Sequence, residues 1–501
     1  GEEDLPGGGH PGGKYPARLL KESWETVMKN QFHDILPGSS IKEVYEDSKA
    51  EYEELLERAG QQIREQLQRL ADHVDAGAGD VVVFNPYGAL GEGIAEFSPG
   101  KGKEVTGLRD GSGKIPVQQT AEGRCIFEAL GVPSRGYRTY GYGEENAMPS
   151  ELTVSERGME NRYFILEFNE KGQFSRIYDK ENKREVLKPG RAGNVIMSYE
   201  DRPHNYDAWD INNYYTEKSW EVDQVSSVQV TEMGPVRAAV QIDRQYLDST
   251  ISQTIYLYGH TPRIDIRTKV DWNEHLIMLK DIFPLDVHTD EASFEIQYGN
   301  VKRPTHSNTS WDFAKFEVCV HKWLDVSEYG YGVSFLNDCK YGCSVKDGVV
   351  GLTMLKSPLY PNPDADKEKH EFWYSIYPHK GRWQEARTVE MAYDLNSPLV
   401  SALVPAKGAG GFWSMVSVDQ PDCFVEMMKK AENGNGYILR IYENRNTRTP
   451  MTVKLGFEIS RVEECDLLER PLRPIETDGY RFKDFIKPYE IKTYRICPVR
   501  A

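Results

Sequence analysis

The sequence predicts an α+β chain of separate units: a short helical bundle, then antiparallel β-sandwich domains, one of them a large supersandwich. Three observations carry this. Apolar residues recur at helical spacing only up to about residue 76. From there to Ala501 short alternating runs separated by turn signals replace them. At 501 residues, with 39% hydrophobic and 28% charged residues, the chain has material for about two to four cores.

Taken in order, residues 1–13 (GEEDLPGGGHPGG) are rich in Gly and Pro and lack periodicity, so a flexible segment is expected, with His10 solvated in it. A helical unit is expected over 14–76. Leu20, Trp24, Val27, Met28 and Phe32 predict a first helix from Ala17 to His33, which Pro37-Gly38 prevents from continuing. Ser40-x-x-Glu43 reads as a capping box for a long second helix, striped by Val44, Tyr52, Leu56, Ile63, Leu67 and Leu70. Two helices bury too little alone, so a further partner is expected.

Val81–Phe84 opens a small β-sandwich domain over 79–147, followed by a large one over 148–390 and a C-terminal one over 391–501. Thr254–Tyr258 and Arg263–Trp272, joined by Gly259-His260-Thr261-Pro262, predict a hairpin. Turn signals at 169–172, 179–182 and 432–436 fit antiparallel sandwiches.

The formal charge of −17 argues against nucleic acid or anionic lipid as partner, since a polyanion needs a basic face. No run of about 18 apolar residues exists, so no membrane partner is expected. Seven cysteines without framework or zinc-finger spacing point to a reducing, cytoplasmic compartment, with Cys339 and Cys343 read as buried thiols. No dinucleotide fingerprint, P-loop, nucleophile elbow or metalloprotease motif is present.

Two stretches could carry chemistry. In Asn30–Ser40, His33 beside Asp34 before a Pro-Gly turn is either a metal ligand with a substrate-binding neighbour, or a space-filler beside a turn cap. Glu200–Asp210 holds carboxylates, His204, Tyr206 and Trp209; it is either a sugar-recognition loop or a polar loop tied by Asx-turns. Arg303–Asp312 and Tyr377–Trp383 read as structural turns.

The same residues carry a resemblance. Asn30-Gln31-Phe32-His33-Asp34-Ile35-Leu36-Pro37-Gly38-Ser39-Ser40, Asp201-Arg202-Pro203, Tyr206-Asp207-Ala208-Trp209-Asp210, Arg303-Pro304-Thr305-His306 and Tyr377-Pro378-His379-Lys380-Gly381 resemble, in order and spacing, α-mannosidases of glycoside hydrolase family 38, in the cytosolic and bacterial branch. The likeness runs from about Tyr15 to the C-terminus and covers the middle helical and C-terminal β-domains. It implies a zinc-dependent retaining enzyme that removes terminal α-mannosyl residues from glycans through a nucleophilic Asp and an acid/base Asp. It implies His33 as a zinc ligand, with Asp34, Asp207 and Trp209 as substrate-binding residues, and no catalytic residue in this chain. The nucleophile and three zinc ligands would lie upstream, in an N-terminal barrel that precedes Gly1. The isolated chain is therefore expected to be inactive, with its imidazole at 33 facing outward. Expected partners are a mannose-containing oligosaccharide, that barrel and a second copy in a homodimer. The competing reading is a non-catalytic carbohydrate-binding β-sandwich protein.

Overall fold

The computed structural model of the protein describes residues 15–74, 79–99, 105–111, 113–143, 151–404 and 411–499. The segment 1–13 and the boundary expected near 147 lie outside them.

Helix α1 (Ala17–Asn30) and helix α2 (Lys42–His73) form an antiparallel hairpin. α1 stops three residues before the expected end, because Gln31 leaves helical geometry at φ −87°, ψ 10°. The expected capping box does not form. The N-cap of α2 is Ile41, with no side-chain cap bond, and the Ser40 N–H donates instead to the Tyr45 hydroxyl at 3.0 Å. The hairpin buries little of its own: Asn30 is the only fully buried residue of α1 and Ala71 of α2. The expected further partner is a β-sandwich, not a helix. Ala71 and Val74 pack with Val82, Phe84 and Val404 at one end of the hairpin, and Lys42 and Lys49 pair with Asp364 and Glu368 of the large sandwich near the other.

Three sandwiches follow. The first joins a six-stranded sheet around Gly79–Phe84 and Gly136–Gly143 to a three-stranded one around Cys125–Val132, over a core of Val81, Phe97, Phe127 and Tyr140. The large sandwich stacks a nine-stranded sheet on a six-stranded one. A five-stranded sheet over 153–185 closes one side of the shared core, which includes Phe174, Ile255, Trp272, Phe283 and Phe335. The expected hairpin is present, with Ser249–Tyr258 against Ile264–Asp271 and Ile255 opposite Ile266. Its clean alternation holds only for the second half of Ile264–Asp271. Asp265 is buried because Arg263 pairs with it at 2.7 Å and the Tyr258 hydroxyl donates to it at 2.7 Å. The last sandwich has five and three strands over a core of Val425, Leu439, Val453 and Tyr494.

Residues 391–501 do not all build that last sandwich. Val400–Leu403 pairs with Gly79–Phe84, and Phe412–Ser414 with Gly136–Gly143, so the chain returns to the first sandwich before starting the third. The described residues also hold two further α-helices, α3 (Ser310–Phe313) and α4 (Thr388–Asn396), and a 3-10 turn at Asn213–Glu217. The boundary expected at 390 falls inside α4. This helix touches all three sandwiches: Thr388 bonds Ser334 at 2.8 Å, Asp394 accepts from the Tyr87 hydroxyl, and Glu390 pairs with Arg445 at 2.7 Å.

Among the described residues no helix is long and apolar enough to cross a membrane, which says nothing of a β-barrel. All seven cysteines are free thiols. Cys343 is buried as expected, but Cys339 is exposed, because it sits in the turn before the strand Gly342–Lys346 rather than in it.

Candidate functional site

The turn that joins α1 to α2 is built around two side chains. Asn30, buried at the end of α1, donates to the Thr26 carbonyl at 3.1 Å and to Glu51 Oε2 of α2 at 2.8 Å. Tyr45, one turn into α2, has its hydroxyl 3.1 Å from the Asp34 carbonyl and 3.2 Å from that of Ile35. Gly38 supplies the left-handed φ of +85° that closes the turn. Held this way, the turn buries Ser39 and presents Gln31 and His33 outward. The His33 imidazole is 72% exposed, its Nε2 3.4 Å from Asp34 Oδ2, with the Phe32 ring 4.3 Å away.

Asp207 and Trp209 lie in a loop anchored from beneath by Lys356. Its ammonium sits 2.9 Å from the buried Asp201 carboxylate and donates to the carbonyls of Asp207 and Asp210. Burial pushes the Asp201 carboxyl up, and the Lys356 charge opposes that shift. Asp207 Oδ2 accepts the backbone N–H groups of Leu359 at 2.7 Å and Tyr360 at 3.1 Å. Those bonds tie two loops together and leave the carboxylate a second oxygen for another donor. Trp209, Tyr206 and Tyr360 are all exposed.

The same 357–368 segment reaches the helical hairpin. Lys42 pairs with Asp364 at 2.7 Å and Lys49 with Glu368 at 2.8 Å. Exposed pairs of this kind add little stability, but they fix which loop faces which helix. The structure thus brings His33 and Asp34 together in one turn, and Asp207 and Trp209 together in one loop. It links the two through the 357–368 segment, which bonds Asp207 on one side and Lys42 and Lys49 on the other. Around the turn the hairpin leaves Trp24, Met28, Phe32, Leu36 and Ile41 exposed, a larger apolar face than a surface helix ordinarily shows.

Zinc takes about four ligands. His33 and Asp34 offer two, and among the described residues no group of three or more His, Cys, Asp or Glu side chains could hold a metal. The residues present do not make a zinc site by themselves.

The two stretches read as structural turns are structural but only partly turns: Arg303–Asp312 leads from the end of the strand Gly299–Pro304 into α3, and Tyr377–Trp383 begins in the strand Lys369–Lys380. Thr309 caps α3, accepting the Asp312 N–H at 3.1 Å, and Lys346 donates to the His306 carbonyl at 3.0 Å. His379 is buried against Asp325 at 2.8 Å, and the Trp383 indole donates to Ser293 at 3.2 Å. Sequence reasoning missed Lys356 and the Tyr45 hydroxyl. The first ends an apolar strand and the second sits in an apolar stripe, so neither position advertises a polar task.

Comparison with known proteins adds the following. Residues 8–70 match the alpha mannosidase middle domain, 159–364 the glycosyl hydrolases family 38 C-terminal domain, and 424–494 the family 38 C-terminal beta sandwich domain. The chain is 32% identical to human alpha-mannosidase 2C1 over 91% of its own length and 43% of that protein. To alpha-mannosidase G of Dictyostelium discoideum it is 30% identical, over 95% of its own length and 48% of that protein. It therefore spans about half the length of the curated relatives it matches. In fold it is similar to the crystal structure of an alpha-mannosidase from Enterococcus faecalis V583, with TM-score 0.79, 16% identity, 96% of this chain and 64% of that chain covered.

Proposed function

From the premise that the chain belongs to glycosyl hydrolase family 38, whose middle and C-terminal domains it carries, we propose that it is the C-terminal portion of a zinc-dependent retaining α-mannosidase. The observation that carries this reading is the occurrence of all three family domains in order. Relatives named alpha-mannosidases, at about 30% identity across nearly the whole chain, support it. The substrate proposed is a glycan with terminal α-mannosyl residues.

In this reading His33 supplies one donor to a zinc whose other donors lie outside this chain, and its outward imidazole suits that task. Asp34, half-exposed at the same turn, accepts a sugar hydroxyl. Trp209 offers an aromatic face to the C–H groups of the ring. Asp207 binds a hydroxyl with the oxygen not engaged by Leu359 and Tyr360, and through those amides fixes the loop that carries Trp209. The nucleophile and acid/base come from the barrel, which packs on the apolar face of Trp24, Met28, Phe32, Leu36 and Ile41. Covering such side chains is worth about 1.5–3 kcal/mol each. The free thiols suit a reducing compartment such as the cytoplasm.

The test is hydrolysis of an aryl α-mannoside, with zinc or cobalt added, by this chain and by the full-length protein. The full-length protein is expected to turn over with retention, and His33→Ala to abolish most of that activity. This chain alone is expected to be inactive. Clear turnover by this chain would remove the need for a barrel, and an inactive full-length protein would sink the whole reading.

A further inference from the structure

A cleft opens at one end of the large sandwich, bordered by Glu200 and Arg202 and by His275, whose Nε2 lies 3.2 Å from Lys367 of the 357–368 segment. It has a volume of about 490 Å³ and lies between the edge strand Ser219–Glu221, the hairpin tip at 245–247 and the turn at 275–277. A cleft of this size is in the range of small-ligand sites. Its apolar wall is the Trp220 indole, 54% exposed, faced by Tyr246, which is itself held by stacking on the buried Trp272 at 5.8 Å.

Two features separate it from an ordinary surface groove. Leu247 and Leu276, both on its rim, adopt left-handed backbone, at φ +50° and +53°. Leu247 takes it as the first residue of the two-residue hairpin loop after Tyr246, and Leu276 with its N–H donated to the Ser357 carbonyl at 2.7 Å, so both fix the shape of the rim. The polar rim is also held in place before any ligand arrives. Glu200 accepts from Lys218 at 2.7 Å and Arg202 at 3.0 Å, Glu221 from Lys171 at 2.9 Å, and Asp223 lies 3.1 Å from the same lysine.

These pairs decide the ligand class. Three carboxylates are matched by three cations, so the rim attracts neither an anion nor a cation strongly. Each carboxylate still has acceptor capacity beyond its ion pair. A flat, exposed indole beside oriented acceptors suits a ligand with apolar C–H faces and many hydroxyl donors. We propose that this cleft binds a short neutral oligosaccharide, with Trp220 as the stacking platform and Glu200 and Asp223 as hydroxyl acceptors. The choice of a mannose-bearing glycan over other neutral glycans rests on the α-mannosidase reading; the cleft does not.

The test is titration of this chain with a linear α-mannotriose and with a cello-oligosaccharide, followed by calorimetry and saturation-transfer NMR. Saturable binding of the mannotriose is expected, weakened at least tenfold in Trp220→Ala and largely retained in Trp220→Phe. It should be unchanged in Trp311→Ala, which removes a different exposed indole. The exposed position of Trp220 lets both variants fold, which thermal melts confirm. No saturable binding of either glycan, or binding unaffected by Trp220→Ala, overturns the proposal. Trp220-dependent binding of the cello-oligosaccharide alone keeps the cleft and overturns the mannose assignment. An inactive full-length protein with Trp220-dependent binding intact would count against the mannosidase reading alone.

Discussion

At the scale of single residues, the turn before α2 shows one hydroxyl doing what a helix cap and a loop-closing bond would otherwise share. Tyr45 reaches both sides of the Asn30–Ser40 turn. Tyr45→Phe removes those bonds without opening a cavity, so a loss of about 1 kcal/mol is expected. Faster amide exchange over 34–40 should accompany it, measured by hydrogen–deuterium exchange; unchanged protection there would show that Pro37 and Gly38 hold the turn alone. This is also where the sequence was hardest to read. Ser40-x-x-Glu43 has the composition of a capping box, but a hydroxyl five residues on competes for the Ser40 N–H and wins. His33 was legible as a chemical residue from its neighbours Asp34 and Pro37-Gly38. A ligand role for it was not, because two donors do not define a zinc site.

At the scale of elements, Lys356 ends a strand and holds a loop. It neutralises Asp201, which is 1% exposed, and bonds the carbonyls on either side of Trp209. Lys356→Ala leaves a buried carboxylate unpaired, and a cost of about 3–5 kcal/mol is expected. Adding Asp201→Asn should recover part of it, measured by urea unfolding of the single and double variants. Equal stability of the two would mean that the loop, not the charge, sets the cost. The strands themselves were readable, since period-two patterning and Gly-rich turns mark them. α4 was not. Thr388, Val389, Glu390, Met391, Ala392 and Asp394 are all buried, so the helix has no wet face to give it a period.

At the scale of the whole molecule, α4 sets a pH dependence. Burial pushes the Asp394 carboxyl up to about 7, against the opposing pull of Arg263, the Tyr87 hydroxyl and Arg387, with Glu92 adding to the rise. The folded state therefore holds a proton that the unfolded chain, at an ordinary carboxyl value near ~3.9, releases. Its contribution to stability is full below that unfolded value and is lost as pH rises through about 7. Thermal melts from pH 5 to 8 should show wild type losing stability relative to Asp394→Asn, by up to about 1.4 kcal/mol per pH unit. Parallel curves would place the proton elsewhere. The fold class was legible at this scale because composition and periodicity change once, near residue 76. The order of sandwiches in space was not, because strand patterning says which face of a strand is buried and not which sheet it joins.

That return of the chain has a consequence for how the molecule can be divided. Val400–Leu403 is the edge strand of a sheet whose next member is Gly79–Phe84, more than 300 residues earlier. A cut anywhere between them parts two hydrogen-bonded neighbours, and a cut after 390 also splits α4. The β region therefore has no seam there at which a gene could be shortened, duplicated or recombined to leave a self-sufficient piece. Residues 79–403 can be inherited only as one piece.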